Sequence, residues 1–145
     1  MMGDKMITKE ISIDSKNRIV LPSIPNYGVG DEIVFQYDLG YQIIFIYPYY
    51  LWQKKSNDFM LRLENDARKK IISNEEMLKL QRFYYSILSF PKDKVSSFKR
   101  VTLNKNIISK LDLKDSAFLV FDDNKIILCK DKDIYNQFKS KTGSR

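Results

Sequence analysis

The 145-residue sequence has no histidine. That absence removes the commonest general base, the imidazole-dependent serine and cysteine hydrolase arrangements, and the usual zinc sites. Cysteine is almost absent as well. Cys129 stands alone, so no internal disulfide can form, and its place in the apolar run Ile126-Ile127-Leu128-Cys129 suits a buried thiol better than a nucleophile. The five glycines are scattered, which leaves no phosphate-cradling loop. Long apolar runs are missing too: the most apolar stretch, Ile43 to Trp52, is too short to span a bilayer and contains Pro48, and Met1-Met2-Gly3-Asp4-Lys5 has no apolar segment behind it. The expectation is a cytoplasmic protein with no membrane partner, no cofactor, no small-molecule substrate and no enzymatic activity.

What is present is enough to build a core. Hydrophobic residues make up 43% of the chain and aromatic residues 13%, so global disorder is excluded and one compact unit is the default. The net charge of +7 and the pI near 9.4 favour an acidic partner, nucleic acid ahead of anionic membrane. The excess is uneven. Residues 1–55 carry six Lys/Arg against six Asp/Glu, residues 56–94 eight against six, and residues 95–145 eleven against six. A general phosphate-attracting surface is therefore weighted toward the last third.

Periodicity gives the elements. Ile11 and Ile13, the polar group Asp14-Ser15-Lys16-Asn17-Arg18, then Ile19-Val20-Leu21-Pro22 read as strand, turn, strand. Ile33-Val34-Phe35 and Ile43 to Ile46, separated by Asp38-Leu39-Gly40, read as a hairpin. Trp52, Phe59, Leu63, Ala67 and Ile71 are spaced for a helix. Ser73-Asn74-Glu75-Glu76 can cap a second helix with the stripe Met77, Leu80, Tyr84, Ile87 and Leu88, ending at Phe90-Pro91. Then the opening recurs: Val95, a polar turn through Arg100, Val101-Thr102-Leu103, Phe118 to Phe121, Asp122-Asp123-Asn124, Ile126-Ile127-Leu128, and a closing helix over 130–138.

The recurrence is an internal repeat. Arg18 matches Arg100, Leu21 Leu103, Asp31 Asp115, Ile43 Ile126 and Trp52 Tyr135, at offsets of 82, 82, 84, 83 and 83. Each half has too few strands to bury its own hairpins. The natural solution is an α+β fold in which the halves interleave about a pseudo-twofold axis in a shared β-barrel with flanking helices. The expected organisation is a first repeat over 7–55, central helices over 56–90, a degenerate second repeat over 91–138, and a flexible tail over 139–145.

The loop Asp14 to Arg18 followed by a strand ending in Pro22 resembles the swapped-hairpin transcription factors typified by AbrB. The order over the whole chain narrows this: the loop, the hairpin, Tyr47-Pro48 to Trp52, Gln81-Arg82-Phe83-Tyr84-Tyr85-Ser86, and the second loop. From about Ile7 to Phe138 that succession resembles the MraZ family. The resemblance implies a bacterial cytoplasmic, nucleoid-associated regulator of the division and cell-wall gene cluster. It would bind direct repeats in promoter double-stranded DNA and assemble as a ring-like homo-oligomer. Asn17 replaces the motif's usual glycine, and Asn tolerates positive φ best after Gly. The second loop, Ser96-Ser97-Phe98-Lys99-Arg100, keeps the arginine and loses the aspartate and the glycine.

The candidate DNA-binding residues are Asp14, Ser15, Lys16, Asn17 and Arg18, with Lys99 and Arg100 as a second group. Arginine offers a planar donor fork for guanine or phosphate and lysine a point charge, so Arg18 is assigned to base or phosphate and Lys16 to phosphate. Asp14 beside them would repel phosphate; it suits accepting loop hydrogen bonds or orienting Arg18. The plain alternative is a charged surface turn. Tyr47, Tyr49, Tyr50 and Trp52 could stack bases, but their position at a strand-to-helix junction favours core or subunit interface. Asp122-Asp123 in a turn and Glu75-Glu76 in a helix's first turn suggest no catalysis. The competing functional reading is an antitoxin-like or scaffolding module whose main partner is protein.

Overall fold

A computed structural model describes residues 6–38 and 40–142. Met1 to Lys5, Leu39 of the expected hairpin turn, and 143–145 of the expected tail lie outside the described residues. The architecture is α+β. Strands β1 (Ile7–Ser12), β2 (Arg18–Val20), β3 (Glu32–Asp38) and β4 (Ile43–Pro48) precede helices α1 (Tyr49–Arg68) and α2 (Asn74–Phe83). A π-helical turn follows at Tyr84–Leu88. Then come β5 (Asp93–Lys94), β6 (Arg100–Thr102), α3 (Lys105–Lys110), β7 (Ser116–Asp122), β8 (Lys125–Cys129) and α4 (Lys132–Thr142).

The halves exchange strands. β1 of the first half pairs with β7 of the second, β5 of the second with β3 of the first, and β4 and β8 meet antiparallel between them, giving the order β1-β7-β8-β4-β3-β5. β2 and β6 form a separate antiparallel ribbon with Ile19 opposite Val101. Loop bonds repeat with the halves interchanged. Ile13 donates to Asp115 O at 2.8 Å and Val95 to Asp31 O at 2.9 Å; Leu21 donates to Lys99 O at 2.8 Å and Leu103 to Asn17 O at 2.7 Å.

Two expectations are corrected here. The described strands form no closed barrel: the six-stranded sheet ends on β1 and β5, and the ribbon is a separate sheet that pairs with none of its strands. A β5 of two residues, paired only at Glu32 and Ile33, is too short to carry the ladder round. The expected equivalence of Ile43 and Ile126 is off by one residue. Ile44 and Ile46 share the larger core with Ile126 and Leu128, whereas Ile43 shares the smaller one with Ile127 and Cys129. Side chains alternate faces along a strand, so a shift of one would invert both cores.

Both faces of the central strands are covered, which explains why β4 and β8 read as continuous apolar runs rather than alternating ones. One face packs on the ribbon through Ile19, Leu21, Val101 and Leu103 and on α3 through Ile107; the other packs on α4 through Tyr135 and Phe138. The closing helix begins and ends later than expected, and it carries residues 139–142 of the expected tail. Helix α3 was not expected at all: Asn104 caps it, its side chain accepting from Asn106 N at 2.7 Å.

Around the central helices, Ser73 and Glu76 form a reciprocal cap at 3.0 Å in each direction, which accounts for the acidic pair there. The buried Ser56 hydroxyl bonds to Tyr84 OH at 2.8 Å, tying α1 to the π-helical turn. Among the described residues, no helix is long and apolar enough to cross a membrane.

A candidate nucleic-acid interface on the paired ribbon

The ribbon has two chemically distinct faces. Ile19 and Val101 point inward and are 1% and 2% exposed. Their neighbours Arg18, Val20, Arg100 and Thr102 are directed outward, Arg18 paired across from Thr102 and Arg100 from Val20. The inward pair fixes which side chains face solvent, because a two-residue period leaves no alternative. The loops that precede β2 and β6 enter at opposite ends of the ribbon.

In the first loop, Asp14 organises everything around it. Its Oδ1 accepts from the backbone N–H of Lys16 at 2.9 Å and of Arg18 at 2.8 Å, and its Oδ2 accepts from Arg18 Nε at 2.8 Å. The Arg18 N–H bond above all, then the Arg18 side chain and the Lys16 N–H, hold the Asp14 carboxyl below its ordinary range, against a desolvation effect that is second in size only to the Arg18 N–H bond. Both roles foreseen for Asp14 are therefore present. Only Nε of Arg18 is engaged by the carboxylate, which leaves the two terminal nitrogens of its fork directed elsewhere. Asn17 adopts φ 61°, the left-handed conformation that its substitution for glycine required. Ser15 and Lys16 are exposed at the tip.

The second loop is built differently. Ser96 stands where Asp14 stands in the first, and its N–H and its hydroxyl both donate to Arg100 O at 2.8 Å. No carboxylate pairs with Lys16, Lys99 or Arg100 among the described residues. Arg100 Nε donates to Ser97 O at 3.3 Å, and the guanidinium lies 5.2 Å from the centre of the Phe98 ring. Lys99 Nζ reaches Ser23 Oγ. Phe98 and Lys99 are both left-handed, at φ 61° and 58°.

The two loops together hold four cations and one acid, so the ribbon and the loops leading into it gather positive charge from both halves of the chain. The sequence reading named Lys99 and Arg100 but missed Phe98, which is 77% exposed. Its signal was available: at the repeat offset of 82 it takes the place of Lys16.

The remaining candidates fall elsewhere. Trp52 stacks on Tyr49 at 5.9 Å and on Tyr84 at 6.3 Å, and Tyr47 is buried, so these aromatics join α1 to the π-helical turn. Asp123 and Asn124 are the two left-handed residues of the β7–β8 turn, at φ 54° and 65°. Cys129 is buried, and burial pushes its thiol up to about 12, away from nucleophilic character. No protein-family model matches the chain, and no curated protein matches it.

Proposed function

We propose that this chain is a sequence-specific DNA-binding transcriptional regulator that reads duplex DNA with the outward face of the β2–β6 ribbon. The observation that carries this reading is the placement of Arg18 and Arg100 on one solvent-facing side of a two-stranded ribbon whose other side is core. The major groove of B-DNA admits a two-stranded β-ribbon, and arginine is the side chain best fitted to guanine O6 and N7. In this reading Arg18 contacts a base or phosphate and Lys16 a phosphate. Asp14 and Asn17 set the loop, and Lys99 and Arg100 add contacts from the second loop. The exchanged strands support an AbrB-like swapped-hairpin assignment made within one chain, and with it the resemblance to MraZ-type regulators of division and cell-wall genes.

Assembly into a ring-like homo-oligomer belongs to the same reading. Leu78, Leu80 and Phe83 on α2 and Ile87 just beyond it are 51%, 41%, 39% and 54% exposed, apolar surface of the sort that protein contacts cover. The same surface favours the alternative of a scaffolding module with a protein partner.

Fluorescence anisotropy on duplex from upstream of the protein's own gene, over a salt series and with the native mass of the complex, separates the two. The expected result is salt-sensitive binding as an oligomer, weakened about tenfold or more by Arg18→Ala, with the salt slope reduced by about one. Unchanged binding by Arg18→Ala, or a co-purifying protein partner without upstream DNA binding, overturns it.

A further inference from the structure

Among the described residues Phe98 is the most exposed of the large apolar side chains, at 77%, and it sits at a loop tip in a left-handed conformation that bulky residues rarely adopt. It contributes nothing to either core. Its counterpart at the same place in the first half is Lys16, a cation at the tip of the loop leading into β2. The one described contact of its ring is with the Arg100 guanidinium, 5.2 Å from the ring centre, and that arginine carries no carboxylate partner. An apolar ring and a guanidinium that no carboxylate neutralises, packed together next to the ribbon, present two different chemistries to adjacent positions.

We infer that Phe98 reads a thymine through its C5-methyl group in the major groove, beside the base or phosphate held by Arg100. This rests on the DNA-binding reading above and extends it: the second loop supplies base discrimination, not general affinity alone. Four observations converge. Phe98 lies in the turn leading into β6, its ring against Arg100 at one end of the ribbon whose outward face carries Arg18 and Arg100. The thymine methyl is the one apolar group that a base pair offers in that groove, and phenylalanine is among the side chains that contact it. Arg100 packed on the ring limits the directions in which the ring can turn. Finally, the loop is held in shape by bonds that do not use the ring, from Ser96 N and Oγ to Arg100 O and from Leu21 N to Lys99 O. The exposed side chain is therefore presented by the loop rather than required by it.

The test uses the full-length protein with two forms of the same upstream duplex, one containing thymine and one with every thymine replaced by uracil, which removes only the methyl groups. The wild-type protein is expected to bind the thymine duplex more tightly, by roughly fourfold for each methyl group buried. Phe98→Ala should bind the thymine duplex more weakly and lose the discrimination attributable to that contact, while still binding through the first loop. Phe98→Lys, which places in the second loop the residue type of the first, should steepen the salt dependence by about one and discriminate no better than Phe98→Ala. Equal wild-type binding to the two duplexes overturns the inference and leaves the DNA-binding reading standing. Discrimination undiminished in Phe98→Ala does the same. No wild-type binding to the thymine duplex overturns both.

Discussion

The contact between Ile19 and Val101 can be cut from either side. These residues face each other across the ribbon, are 1% and 2% exposed, and anchor the site-bearing strands to the larger core. Truncating Ile19 to alanine removes three carbons, about 2.4 kcal/mol of transfer free energy, and the cavity left behind takes the cost to about 3–4 kcal/mol. Val101→Ala removes two carbons and should cost about 2–3 kcal/mol by the same reasoning. Against a total stability on the order of 5–15 kcal/mol, both single variants remain measurable by urea denaturation. Because the two side chains are partners, the double variant loses their mutual contact only once. It should therefore be less destabilised than the sum of the singles by about 0.5 kcal/mol or more. Additivity within that margin, or a cost below about 1 kcal/mol for Ile19→Ala, would refute the claim that this pair joins the halves.

Two further outcomes concern the first loop. Asn17→Gly should leave stability within a few tenths of a kcal/mol, whereas Asn17→Ala, with φ at 61°, should lose about 1 kcal/mol; thermal melts of the two variants compare them directly. The Asp14 carboxyl is held below its ordinary value of 3.8. Its contribution to loop order is thus fully present above that value and is lost as pH falls through the lower folded value. The Arg18 Nε proton resonance, followed by NMR, should be unchanged from pH 7 to pH 5 and move only below pH 4; movement near pH 6 would contradict the assignment.

Much of this arrangement is legible in the sequence. Local patterns located every β-strand hairpin, and the repeat offset led to the interchange of halves, because two hairpins with apolar faces and no partner of their own must find each other. Asn17 at positive φ and Asp14 as acceptor follow from side-chain chemistry that acts within a few residues. What could not be read depends on distance or on parity. The apolar runs of β4 and β8 are buried on both faces, so composition alone does not tell Ile43 from Ile44 as the partner of Ile126. Closure of the sheet turned on the length of β5, which Asp93 and Lys94 do not advertise. Helix α3 escaped because a six-residue helix has under two turns of periodicity to display. Phe98 escaped because it carries no charge and the loop was read by its cations.

The exchange of edge strands also governs the order of events during synthesis. The residues of β1 pair with residues of β7 that lie more than a hundred positions downstream. At ribosomal rates of about 5–20 residues per second, the first strand waits on the order of 5–20 s for a partner to emerge. In that interval α1 and α2, whose contacts are local, can already form, while β1 and the hairpin of the first half present unpaired edges to other chains. Completion of the fold is therefore tied to the arrival of its last third, and a nascent chain cut short before β7 leaves its first strand without the partner it has in the whole protein.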